Sequence, residues 1–273
     1  MQSYIVDAFT TTPFSGNPAA VCLPPHALST ALMQQIAMEF GLSETAFVVP
    51  TVVPATYDIR YFSPKQQIPL CGHATLASAK VLFSRTEFAQ LHFITADQLD
   101  LVITKRGNEI VMEFPVSDTE PIAVPVSVLN ALGLATIVEG AYSAHNKIIL
   151  LQIAETTALV ALRPDFRALV ASYTGINGVL VTAAASDGAY DFHYRYFWPW
   201  AGTDEDPVTG GVQTFLAKYW VQRLHRTHLR AFQSSARTGS MTLDVHDRTV
   251  ELCSDAVIVL EGRLAERIAD GAV

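Results

Sequence analysis

The feature that most constrains this chain is a phrase written twice. Arg60-Tyr61-Phe62-Ser63-Pro64 returns as Arg195-Tyr196-Phe197-Trp198-Pro199. Each copy runs through a loop to a glycine, Gly72 or Gly210, and then into a largely apolar segment with a helical pattern. The second loop is the longer of the two. A helical pattern precedes each copy and a hairpin pattern follows it. A repeat of this period is too long for a solenoid and reads as two similar domains related by a pseudo-twofold. Pro115, Pro121 and Pro125 mark the boundary. The expected domains are 1–115 and 116–273, with the last residues packing back on the first. A chance match of five positions is the alternative to a true duplication.

Between Ala74 and Phe83 only Thr75, Ser78 and Lys80 are polar, and Val212–Trp220 is similarly apolar. A helix that is apolar nearly all round is buried rather than amphipathic. Each domain is therefore expected to wrap a curved sheet around one central helix. In the first half the spacing predicts strands at 4–9, 19–23, 46–49 and 57–62, a helix capped by Ser29 and stopped by Gly41, a helix over 72–83, and a hairpin around Gly107 and Asn108. In the second half it predicts a helix over 157–172 interrupted at Pro164, strands at 179–183 and 190–197, a helix starting near Val208, and a hairpin around His246 and Asp247.

The composition sets limits. Of 273 residues half are hydrophobic and 16% charged, which is a folded chain rather than a disordered one. A net charge of −8 argues against nucleic acid or an anionic membrane as partner, since both need basic surface. No apolar run is long enough to span a bilayer, and no signal peptide is read at the start. Three cysteines do not suggest a disulfide framework. The expected location is the cytoplasm.

A buried helix leaves its first N–H groups without intrahelical partners. Here both starts are glycine turns, Cys71-Gly72-His73 and Thr209-Gly210-Gly211. Glycine allows close approach of a ligand to the backbone, and free N–H groups with the helix dipole favour an anion. Two such starts facing each other would hold a small carboxylated molecule; ordinary tight turns are the alternative. His73 and Asp206 lie at these starts, one in each half. The dipole disfavours a His73 cation, so a neutral imidazole is expected. Asp206 could orient His73 or accept from a substrate, or Asp204, Glu205 and Asp206 could form a solvated acidic loop. Glu44, between a helix stop and an apolar strand, would have its pKa raised by desolvation and could shuttle a proton; an exposed strand-start carboxylate is the plainer possibility. Cys71 is a candidate thiol nucleophile or acid/base group. Thr209 stands at its counterpart position, so a pair of thiols is unavailable. No metal-ligand spacing and no nucleotide, phosphate or nucleophile-elbow motif is present. Cofactor-free acid/base chemistry is what remains.

Phe14-Ser15-Gly16-Asn17-Pro18-Ala19-Ala20-Val21, Ser43-Glu44-Thr45-Ala46-Phe47-Val48, Cys71-Gly72-His73-Ala74-Thr75 and Glu205-Asp206-Pro207-Val208-Thr209-Gly210 resemble, in order and spacing, the phenazine-biosynthesis PhzF-like family over essentially the whole chain. The resemblance implies the diaminopimelate epimerase-like fold: α+β, two pseudo-symmetric domains, each a barrel-like, mostly antiparallel sheet around a central helix. The family's best-known member isomerises trans-2,3-dihydro-3-hydroxyanthranilate without a cofactor, and members are commonly homodimers. The family's catalytic glutamate, histidine and aspartate fall on Glu44, His73 and Asp206. Substrate-binding positions are expected at Ser43, Gly72, Thr209, Gly210 and Gly211. The chain departs from the family's usual residues at Gly211-Val212-Gln213, where Ser-Ala-His is common, at Gln67, where glutamate is usual, and at Thr238. The resemblance implies an isomerase that moves a proton on a small carboxylated, amino- or hydroxy-acid-like substrate, with no cofactor and no metal. A non-catalytic small-molecule-binding homologue is the alternative.

Overall fold

The computed structural model describes residues 1–186 and 188–265. The chain divides into two compact units, one built from Met1–Glu113 with the segment from Cys253 onward, the other from Phe114–Leu252.

In unit 1, β1 (Gln2–Ala8) pairs antiparallel with β2 (Asn17–Leu23). Next, β2 pairs parallel with β3 (Glu44–Pro50), and the crossover that a parallel pair demands carries α1 (Thr30–Phe40). Ser29 caps α1 by accepting from the Leu32 N–H, and Gly41 ends it in the left-handed region at φ 63°. β3 pairs antiparallel with β4 (Thr56–Phe62), which carries the first Arg-Tyr-Phe and also pairs with the short β5 (Gln67–Ile68). A second crossover, α2 (Gly72–Arg85), leads to β6 (Gln90–Ile94), parallel to β4. The hairpin of β7 (Asp100–Arg106) and β8 (Glu109–Pro115) follows.

Unit 2 repeats the plan. The short β9 (Glu120–Pro121) leads through α3 (Val126–Leu132) to β10 (Glu139–Ser143), which pairs antiparallel with β11 (Ile148–Gln152). A helical crossover, α4 (Thr156–Ala161) and α5 (Phe166–Ser172), leads to β12 (Gly178–Ala184), parallel to β11. β12 pairs antiparallel with β13 (Phe192–Trp198), which carries the second Arg-Tyr-Phe and pairs with β14 (Thr203–Glu205). α6 (Gln213–Leu224) crosses to β15 (His228–Gln233), parallel to β13. β16 (Gly239–Val245) and β17 (Thr249–Ser254) follow, the turn between them closed by the His246 N–H donating to Thr249 O at 2.8 Å. The last strand, β18 (Ala256–Arg263), returns to unit 1 and pairs antiparallel with β1. The same alternation of antiparallel and parallel pairs in both units is the duplication expected from the repeat.

Ten of the fourteen residues of α2 are buried, and the helix packs on β1, β2, β3 and β18. Its polar residues are satisfied locally: Thr75 and Ser78 hydroxyls donate back to the carbonyls of Cys71 and Ala74, each at 2.7 Å. The apolar face of α6 is anchored by aromatic groups with polar handles. Trp220 donates to Thr182 Oγ1 at 3.0 Å and Tyr219 to Gln152 Oε1 at 2.7 Å.

Two sequence expectations need adjustment. The break at Pro164 is complete, so the expected helix over 157–172 is two helices. The second repeat helix begins at Gln213 rather than near Val208. The intervening residues, with Pro207 and the pair Gly210-Gly211, form a loop whose last turns are the three-residue bonds Gln213 N–H to Gly210 O (3.0 Å) and Thr214 N–H to Gly211 O (3.4 Å). Among the described residues no helix is long and apolar enough to cross a membrane.

Candidate functional site

In unit 1 the residues of three sequence motifs converge on one imidazole. Glu44 opens β3, where its parallel partner is Ala19 of β2. His73 is the second residue of α2. The two side chains meet, His73 Nε2 lying 3.0 Å from Glu44 Oε2, and each residue is only 8% exposed. The Ser43 hydroxyl is 3.4 Å from the same ring nitrogen. The other ring nitrogen, Nδ1, faces Asn17 Nδ2 at 3.3 Å and Cys71 Sγ at 3.4 Å. Asn17 follows Gly16, whose φ of +70° and whose contact with Ala8 O, 2.2 Å from any added Cβ, admit only glycine. A side chain at position 16 would push Asn17, the first residue of β2, away from the imidazole.

The charges differ from the sequence expectation. Burial works against a cation at His73, but the Cys71 sulfur and the Glu44 carboxylate outweigh it and hold its pKa well above the ordinary 6.5. Burial would likewise lift Glu44, yet the hydrogen bond and charge of His73, with a bond from Ser43, bring it below its ordinary 4.5. Burial pushes the Cys71 thiol up, against the pull of His73. The Glu44 carboxylate, 3.0 Å from Nε2, adds its own pull on the His73 proton. The neutral histidine and the raised glutamate expected from the sequence are corrected to an imidazolium–carboxylate pair. Nor is Glu44 an exposed strand-start residue.

Glu44, Cys71 and His73 place one ligand atom each within 4.8 Å of one another, a group of three that metal-ligand spacing in the sequence did not reveal. A metal would need a neutral imidazole and a thiolate. Binding a metal here would therefore release the protons that the shifts favour on both groups.

Around the pair the start of α2 is open. Cys71 makes no capping hydrogen bond with its side chain, and a Cβ added to Gly72 would meet nothing within 4 Å. The helix dipole directs its positive end to this point, where the imidazolium is balanced by the Glu44 carboxylate.

In unit 2 the loop before α6 holds the other expected residues, Asp206, Thr209, Gly210 and Gly211. The Thr209 hydroxyl donates a short hydrogen bond to Asp206 Oδ2. Gln233 staples the loop from β15: its Oε1 accepts from the Thr209 N–H at 2.7 Å and its Nε2 donates to Asp206 O at 2.6 Å. The Tyr194 hydroxyl donates to Thr209 O at 3.0 Å. A Cβ on Gly211 would again meet nothing within 4 Å. The acidic run is not a uniformly solvated loop. Asp204 is exposed, but Glu205 is paired bidentately with Arg195 (2.7 and 2.7 Å) and accepts from Ser235 at 2.7 Å. Asn17, Gln233 and Tyr194 were not singled out from the sequence. Asn17 sits in a quoted motif, but nothing local marks Gln233, which acts across the sheet.

A family model described as phenazine biosynthesis-like protein matches residues 6–262. The chain is 39% identical to mouse phenazine biosynthesis-like domain-containing protein 1, over 96% of this chain and 98% of that one. It is 40% identical to an uncharacterized isomerase of Pseudomonas aeruginosa, over 95% and 96%. A crystal structure of a PhzF-family phenazine biosynthesis protein from Enterococcus faecalis superposes with a TM-score of 0.89 at 36% identity, covering 96% of this chain and 97% of the other. At 11% identity and a TM-score of 0.60, a probable proline racemase from Agrobacterium radiobacter shares the epimerase-like fold.

Proposed function

Because this chain belongs to the phenazine biosynthesis-like family, whose relatives include proteins named as isomerases, we propose that it is a cofactor-independent isomerase. It moves a proton on a small carboxylated substrate, with Glu44 as the base. The observation that carries the reading is the Glu44–His73 pair: a buried carboxylate with a lowered pKa, held at 3.0 Å from an imidazole that bears the proton. An ionised carboxylate shielded from water is a competent acceptor of a proton from carbon. The paired imidazolium can hydrogen-bond to, or donate to, the group that gains charge. Ser43 and the open α2 start at Gly72 are assigned to the substrate's anionic group.

By the family resemblance we assign Asp206 to the substrate's amine or hydroxyl, and Thr209, Gly210 and Gly211 to substrate binding. This rests on the family resemblance and on the way Thr209 and Gln233 hold the Asp206 loop. A paired carboxylate with a fixed carbonyl behind it is a ready acceptor for N–H or O–H.

The test is a screen of amino and hydroxy acids in D₂O, followed by NMR. An isomerase labels a carbon of substrate or product with solvent deuterium, and E44Q does not. A wild-type protein that binds these acids without any exchange would be the non-catalytic homologue instead.

A further inference from the structure

The two copies of the repeated arginine are set in the same way but finished differently. Each guanidinium lies over the phenylalanine two residues on, Arg60 over Phe62 at 5.6 Å and Arg195 over Phe197 at 4.9 Å. Arg195 is fully satisfied: Nε and Nη2 bind the Glu205 carboxylate, and Nη1 donates to the carbonyls of Leu159 and Leu162, each at 3.0 Å. Arg60 donates through Nη2 alone, to the neutral oxygens Gln67 Oε1 (2.6 Å) and Thr30 Oγ1 (3.1 Å). Among the described residues its Nε is buried without a hydrogen bond and no carboxylate is paired with it. The cation of the second copy is neutralised; that of the first is not.

The faces around them differ too. In unit 2, α3, α4 and α5 cover the outer face of the sheet, and Val128, Leu159 and Leu169 pack on Val181 and Phe197. In unit 1, among the described residues, α1 is the one helix on that face. A cavity of about 390 Å³ is left beside it, lined by Leu28, Met33, Phe47, Val49, Asp58 and Arg60 among others. Strand register explains the lining. Phe47 is opposite Arg60 and Val49 is opposite Asp58, so all four point to one face, which is the side away from Glu44. Among the described residues Asp58, like Arg60, has no ionic partner, and two residues along a strand put the pair roughly 6.6 Å apart. The cavity thus presents one unpaired cation and one unpaired anion beside an apolar wall, in the size range of small-molecule sites.

We propose that this cavity is a second ligand site, separate from the Glu44–His73 cluster, that takes a free α-amino acid with an apolar side chain. The ligand carboxylate meets Arg60, where Glu205 meets Arg195 in the other copy. Its ammonium meets Asp58, and its side chain enters between Leu28, Met33, Phe47 and Val49. A carboxylate paired with Arg adds opposite charge and a bidentate fit that neutral Gln67 cannot give.

The test uses the full chain with labelled Leu, Val, Ile and Met methyls, titrated with leucine, 4-methylpentanoate and isopentylamine. Leucine is expected to shift the Leu28, Met33 and Val49 methyls saturably, with the acid and the amine each weaker by about tenfold or more. Q67E supplies the missing carboxylate in place. It is expected to remove leucine binding, to raise Tm, and to leave E44-dependent deuterium exchange unchanged. D58N is expected to weaken leucine while leaving 4-methylpentanoate as it was. The proposal is overturned if leucine shifts none of these methyls, if 4-methylpentanoate binds as tightly as leucine, or if Q67E folds and binds leucine like the wild type. Shifts confined to methyls elsewhere in the chain, with the cavity silent, overturn it equally and leave the isomerase reading intact.

Discussion

His73 Nε2 and Glu44 Oε2 are 3.0 Å apart, and both residues are nearly inaccessible. If Glu44 is the base, E44Q keeps the shape and one hydrogen bond but removes the acceptor. Deuterium exchange should fall by about 10²–10⁴, with the fold retained by circular dichroism. A variant that kept most of its exchange rate would take Glu44 out of the reaction.

The same pair sets a pH window. His73 has a pKa above its ordinary 6.5, so its contribution is complete below 6.5 and is lost as pH rises through the higher folded value. Glu44 has a pKa below its ordinary 4.5, so its contribution is complete above 4.5 and is lost as pH falls through the lower folded value. The Tm gap between wild type and E44Q should therefore be widest between pH 4.5 and 6.5 and narrow on either side. A gap that stayed flat from pH 3 to 10 would mean that the two groups are not an ion pair.

H73L leaves Glu44 buried without its cation. Breaking one side of a buried pair costs about 3–5 kcal/mol, read as a shift of the urea midpoint at pH 6. The double variant H73L/E44M should lose less than H73L, because no charge is then stranded.

Arg195 is 7% exposed and depends on Glu205. E205Q should destabilise unit 2 by about 3 kcal/mol, whereas the exposed neighbour Asp204 can be changed to Asn with an effect below about 0.5 kcal/mol. Chemical denaturation of both variants compares them directly.

Thr209 carries the hydroxyl that fixes Asp206. T209V should lose about 1.5–3 kcal/mol, the value of a hydrogen bond to a charged acceptor, and raise KM. T209S should restore both, since it returns the donor. Failure of the serine rescue would point to the methyl group rather than the hydroxyl.

Much of this architecture is legible in the residues. The repeated Arg-Tyr-Phe marks equivalent strands, β4 and β13, and the apolar run after Gly72 marks a buried helix with its start correctly placed. Ser29 and Gly41 bound α1 because capping chemistry is local. What failed was not local. The charge on His73 was read from the helix dipole alone, and Glu44, brought in by strand pairing, reverses it. The raised pKa expected for Glu44 fails for the same reason. α6 starts later than the expected Val208 because Gln233, from a distant strand, holds the loop open ahead of the helix. The cluster of Cys71 and His73 with Glu44 and Asn17 needs three segments to be placed together before it can be seen.

The imidazolium at the second position of α2 has a further implication for encounter. A chain with a net charge of −8 repels anions on average, yet the positive end of the α2 dipole, beside the balanced His73–Glu44 pair, offers them one favourable point. Negative metabolites would be drawn to that tip against the general field, and the attraction is carried through solvent. Raising ionic strength past the range where the Debye length falls to about 8 Å should slow the capture of charged acids and leave neutral analogues untouched. Selectivity for acids would then be a property of arrival as much as of fit.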